Sequence, residues 1–87
     1  MTTEQTTAPT DIDGELVRYL RSRLKSALTP DQDLFASGVV TSMFAMELVV
    51  HLEQTYAVAI IGADLKLANF RTVTTMAALV RRLRGDA

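Results

Sequence analysis

The sequence has no cysteine and no tryptophan, one histidine, two prolines and four glycines. Without cysteine there can be no disulfide, thiolate zinc site or cysteine nucleophile. That absence fits a reducing compartment, and the cytoplasm is the expected location. The lone histidine, His51, has no acidic residue and nucleophile patterned around it, so it reads as a rim residue rather than a catalytic base. The glycines are scattered and form no phosphate-cradling loop. No cluster with metal-ligand spacing occurs. Nor is there a basic excess: nine Lys and Arg face ten Asp and Glu, for a formal net charge of -1. That balance argues against a dedicated nucleic-acid binder. No apolar run approaches the roughly 20 residues of a membrane span. Residues 1–10, "MTTEQTTAPT", lack the basic start and apolar run of a secretion signal and read as a disordered tail. A non-catalytic role is the expectation.

What the chain does have is enough apolar material for one core. It has 87 residues, 48% of them hydrophobic, which makes a single small domain the default. Three segments carry helical periodicity. In residues 12–28, Ile12, Leu16, Tyr19, Leu20, Leu24 and Ala27 share one face, and Arg18, Arg21, Ser22 and Lys25 fall opposite. Thr10, Asp11 and Asp13 offer caps at its start, and Thr29-Pro30 is the expected stop. Residues 42–56 place Ala45, Leu48, Val49, Leu52 and Tyr56 on a core stripe. Residues 72–84 align Val73, Met76, Ala77, Val80 and Leu83, with Thr72 as N-cap and Gly85 as stop.

Between the first two helices, residues 29–41 form a loop with its own apolar residues, Leu34 and Phe35, expected to plug the core. Asp31 and Asp33 read as turn and capping residues rather than paired acid and base. Residues 57–61, "AVAII", are expected to run extended and bury Ile60, followed by one helical turn near 63–67 and an apolar anchor at Phe70. The sum is an all-α, small four-helix bundle: three long helices and a short one. The domain is expected over residues 11–84, with a C-terminal tail at 85–87. The arginines of the first and last helices, Arg18, Arg21, Arg81, Arg82 and Arg84, read as solvated, dipole-matched faces rather than a phosphate surface.

The second helix has more apolar residues than one core needs. Met43, Met46 and Val50, with Glu47 and Glu53, face away from the core stripe, and Phe44 sits to one side. Apolar patches rimmed by polar groups tend to be interaction sites, and methionine suits surfaces that adapt to partners. Ser42 opens this helix. It fits two readings: an N-cap, or an exposed hydroxyl at a helix N-terminus, where a phosphate ester is favoured.

The run "DQDLFASGVVTSMFAMELVVHLEQTY" resembles the loop and second helix of acyl carrier proteins. The pattern is carried by Asp33-Leu34-Phe35, Gly38, Thr41-Ser42-Met43, Glu47-Leu48, Leu52-Glu53 and Tyr56, and continues through Ile60, Phe70 and "TVTTMAALV". The likeness implies a helical bundle whose Ser42 hydroxyl is esterified by 4′-phosphopantetheine, derived from coenzyme A. The arm's thiol would supply the sulfur that the chain lacks and hold an acyl or aminoacyl thioester. Implied partners are a phosphopantetheinyl transferase and an acyltransferase, ligase or ketosynthase, meeting a monomeric carrier in transient complexes. Thr41, Met43, Met46, Glu47, Val50 and Glu53 are the implied contact residues. Thr41 replaces the aspartate that the pattern usually places before the serine, and Met43 replaces a leucine. Phe44 stands where many carriers have a polar residue, and the helix is less acidic than in fatty-acid carriers. The sequence looks most similar to discrete carriers of polyketide and nonribosomal peptide pathways. An unmodified helical adaptor using the same Met-rich face is the alternative.

Overall fold

A computed structural model describes residues 11–85. The expected tail at 1–10 lies outside the described residues, as do residues 86–87. The fold is small and all-helical. Its elements are α1 (Ile12–Leu24), α2 (Ser42–Tyr56) and α3 (Val73–Arg84), with two short 3₁₀ turns, Gly62–Asp64 and Leu67–Phe70, between α2 and α3.

Helix α1 starts at Asp11, whose carboxylate accepts the Gly14 N–H at 3.2 Å. Asp13 and Glu15 lie in its first turn and Arg21 and Arg23 in its last, matching the helix dipole at both ends. The helix stops at Leu24, four residues short of the expected end. Lys25 turns left-handed at φ 54° and its N–H closes on the Arg21 carbonyl at 2.8 Å. The reason is geometric. A continued helix would carry Leu28 roughly 160° around the axis from Ile12, away from the core. By breaking at Lys25 the chain swings Leu28 back inside, where it is buried, and leaves Ala27 exposed.

The following loop is packed rather than loose. Leu34 is fully buried and its N–H donates to the Arg71 carbonyl at 2.8 Å, while Val40 N–H returns to Leu34 O at 2.9 Å. Phe35 is half-buried against the core. The Asp33 carboxylate accepts the N–H groups of Phe35 and Ala36, and Asp31 accepts the Thr74 hydroxyl. Asp33 thus serves the turn, whereas Asp31 ties the loop to the first turn of α3.

Helix α2 keeps its expected bounds. Ala45, Leu48 and Leu52 are buried, and Val49 and Tyr56 pack half-buried beside them. Beyond it the chain runs extended and buries Ile60; no strand occurs among the described residues. The expected short helix near 63–67 is instead split into the two 3₁₀ turns, because Lys66 between them is extended at φ -137° and ψ 148°. From residue 57 to 72, only Ile60 and Phe70 are buried. That leaves no periodic stripe to hold a fourth α-helix against the core.

Helix α3 begins with a reciprocal Thr72–Thr75 capping box and ends at Gly85, left-handed at φ 82°. Val73, Met76, Ala77, Leu79 and Val80 are buried. Arg81 binds Asp13 of α1 at 2.7 Å and Arg82 binds Asp64 at 2.7 Å, so two of the last helix's arginines brace the fold. No helix among the described residues is long and apolar enough to cross a membrane.

Leu48 is fully buried at the centre of α2. Leu48→Ala should cost about 2–5 kcal/mol, a large share of a small domain's stability. Urea denaturation checks this; a midpoint within error of the parent would contradict the packing described.

Candidate functional site

The N-terminus of α2 is built by Thr41, not by Ser42. Thr41 is extended (φ -95°, ψ 165°), and its Oγ1 accepts the Phe44 N–H at 3.1 Å. The cap reading of Ser42 is therefore corrected: the cap belongs to the residue before it. Ser42 is the first helical residue, exposed, and its hydroxyl makes no hydrogen bond among the described residues. The first turn holds no acidic side chain, so nothing there offsets the positive end of the helix dipole. An anion on Ser42 would meet unpaired backbone N–H groups and a favourable field.

Beside Ser42 lies an apolar groove of about 240 Å³. Ala45, Met46 and Val49 of α2 form one wall; Leu65, Lys66, Leu67 and Phe70 form the other. Along the outer face, Met43 is 80% exposed, Met46 66%, and Val50 is exposed too. Thr41 and Glu47 are exposed on the same helix end and flank. Glu47 binds Arg23 of α1 at 2.6 Å. Glu53 is half-buried, and its Oε2 accepts the Ile60 N–H at 2.8 Å. Both carboxylates are thus already engaged within the molecule.

A second groove of about 480 Å³ runs between α1 and α2, lined by Tyr19, Arg23, Met46, Glu47, Val50, His51 and Gln54. Tyr19 and His51 stack with ring centroids 3.6 Å apart and planes 8° from parallel. Arg23 also donates to the Tyr19 hydroxyl at 2.8 Å and lies 5.1 Å from the centre of the Phe44 ring. Phe44 therefore packs inward, half-buried beneath a guanidinium, which explains an apolar residue at that position. Sequence reasoning missed Arg23 and Lys66. Arg23 is 24 positions from Glu47, and no local pattern links them. No group of metal-ligating side chains occurs among the described residues.

The family described as the phosphopantetheine attachment site matches residues 14–80. The chain belongs to that family. Its domain is the site of covalently attached 4′-phosphopantetheine, and its members are carrier proteins, generally non-catalytic. A carrier of this family meets a phosphopantetheinyl transferase and the enzymes of its pathway. No curated protein matches the sequence. The residues fit the group: an exposed, uncommitted hydroxyl sits on a helix N-terminus without acidic neighbours, next to an apolar groove.

The Thr41 cap and the His51 ring each make a measurable difference to stability. Thr41→Ala removes the α2 cap and should cost about 1 kcal/mol in urea denaturation, whereas Thr41→Asp keeps a capping oxygen and should stay near the parent. Equal stability of the parent and Thr41→Ala would contradict the capping role. The His51 contribution depends on pH. Burial, and then the charge of Arg23, lower the His51 pKa below 6.5. Below 6.5 the unfolded chain therefore takes up the His51 proton more readily than the folded one. This part of the stability is present above 6.5 and lost as pH falls through the folded value. Between about pH 7 and about pH 5 the urea midpoint should drop more in the parent than in His51→Gln. Parallel curves would refute it.

Proposed function

We propose that Ser42 carries the 4′-phosphopantetheine arm, and that the protein presents an acyl or aminoacyl intermediate to enzymes of a polyketide or hybrid nonribosomal pathway. The observation that carries this reading is the division of labour at α2: Thr41 caps the helix, and the adjacent Ser42 hydroxyl is left exposed and uncommitted. Modification makes a phosphoester bond at Ser42 Oγ. The pyrophosphate bond of coenzyme A breaks, adenosine 3′,5′-bisphosphate leaves, and the hydroxyl proton passes to the transferase or solvent. When bound, the arm supplies a thiol that holds the cargo as a thioester. The α2 N-terminus stabilises the phosphoester charge.

Thr41, Met43, Met46 and Val50 form the surface offered to partners, with Glu47 and Glu53 along its flank. The partners are a phosphopantetheinyl transferase and an acyltransferase, ligase or ketosynthase. Exposed methionines suit contact with several different enzymes, each of which must release the carrier. The protein works as a monomer in the cytoplasm, through transient complexes.

Incubation with coenzyme A, magnesium and a broad-specificity phosphopantetheinyl transferase tests the assignment by intact mass. The parent should gain the mass of one phosphopantetheinyl group and Ser42→Ala should gain none. An unmodified parent, or a modified Ser42→Ala, would sink it.

A further inference from the structure

We propose that Lys66 is the counter-ion of the phosphodiester formed at Ser42, and that it holds the root of the arm on the groove side of α2. This rests on Ser42 as the attachment point. Ser42 and Lys66 line the same groove of about 240 Å³, from opposite walls. Lys66 is the one charged group among the described residues that line it. Its backbone is set in place. Lys66 lies extended between the two 3₁₀ turns, at φ -137° and ψ 148°. The Asn69 N–H donates to the Lys66 carbonyl at 3.0 Å, and the Asn69 side-chain amide donates to the Asp64 carbonyl at 2.8 Å. The Leu65 N–H donates to the Gly62 carbonyl at 3.1 Å. The stem of Lys66 therefore leaves a fixed point on the wall facing α2.

The Lys66 ammonium is exposed and makes no hydrogen bond or ion pair among the described residues. Asp64, two residues before it, keeps its charge but is bound to Arg82 at 2.7 Å. Two guanidiniums could compete for an anion at Ser42. Arg71 faces Asp33 at 3.6 Å and Arg23 binds Glu47 at 2.6 Å, and neither lines this groove. Modification adds one negative charge at the α2 wall. The helix N-terminus meets it with a partial positive charge. Lys66 meets it with a full one, on a flexible four-carbon stem. An exposed ion pair between two free side chains is weak, because ordering both chains offsets the attraction. Here one partner is fixed to α2 by a covalent bond, so the pair forms at the effective concentration of a short tether. Being exposed, it is screened by salt.

The test is NMR of the holo-protein with no cargo on the thiol, so that the phosphodiester is the charge the arm brings. Intact mass comes first: a parent that gains no phosphopantetheinyl group removes the Ser42 assignment and the proposal together. In the modified parent, the Lys66 ε-methylene signals should shift from their apo positions at about 20 mM salt and return toward them at about 500 mM. The arm's phosphorus signal should move over the same salt range. In Lys66→Gln, shown by thermal melting to be folded, most of that movement should be lost. Lys66→Arg and Arg71→Gln should keep it. Lys66 signals that respond to salt alike in the apo- and holo-proteins would mean pairing with Asp64 or with solvent, and would overturn the counter-ion while leaving Ser42 standing. So would a phosphorus response that survives Lys66→Gln, or one lost in Arg71→Gln instead. The comparison of apo and holo parent needs no variant, so it decides the matter even if Lys66→Gln does not fold.

Discussion

The Phe44 N–H donates to Thr41 Oγ1, and the arrangement of the functional end depends on that bond. It sets the start of α2 one residue before Ser42, so the serine enters the helix as its first member with its hydroxyl outside. Had Ser42 capped the helix, its oxygen would have been turned onto a backbone amide. The usual aspartate of the family pattern and the threonine found here are both capping residues, so the replacement preserves the geometry. What changes is charge: α2 begins without an acidic side chain, so none in its first turn offsets its positive end.

A second constraint ties the functional helix to the rest of the molecule. Arg23 reaches from α1 to Glu47, the Tyr19 hydroxyl and the face of Phe44, while Tyr19 stacks on His51. Three side chains from two helices thus gather around one guanidinium, and His51 joins them through Tyr19. Exposed ion pairs alone contribute little; here the pair sits over aromatic rings that are themselves packed on the core. The tie leaves Met43, Met46 and Val50 as the outward surface of α2 and removes Glu47 from the pool of available charges. This face offers shape and apolar contact more than long-range attraction.

The bounds of α2 and α3 were legible in sequence because two signals agreed there: an apolar stripe of helical period and a hydroxyl residue at the start. Gly85 also marked the end of α3. The end of α1 was hidden, since Lys25 takes the left-handed conformation that a glycine usually announces. The two 3₁₀ turns were hidden for a different reason: each is too short for a period, and only Phe70 reaches the core. The site shows the same division. Ser42, the exposed methionines and the carrier-family pattern could be read along the chain. The transfer of the cap to Thr41 and the engagement of Glu47 and Glu53 could not, because each depends on which backbone N–H or distant side chain the fold brings near. The buried side of Phe44 became intelligible only with Arg23 above it.

The central claim is that Thr41 builds the helix start and Ser42 is left to carry the group. Fragmentation mass spectrometry of the holo-protein distinguishes these adjacent hydroxyls directly. In a peptide spanning both residues, the phosphopantetheinyl mass should be found on Ser42, with Thr41 unmodified. The group on Thr41, or on a residue outside the α2 N-terminus, would contradict the account.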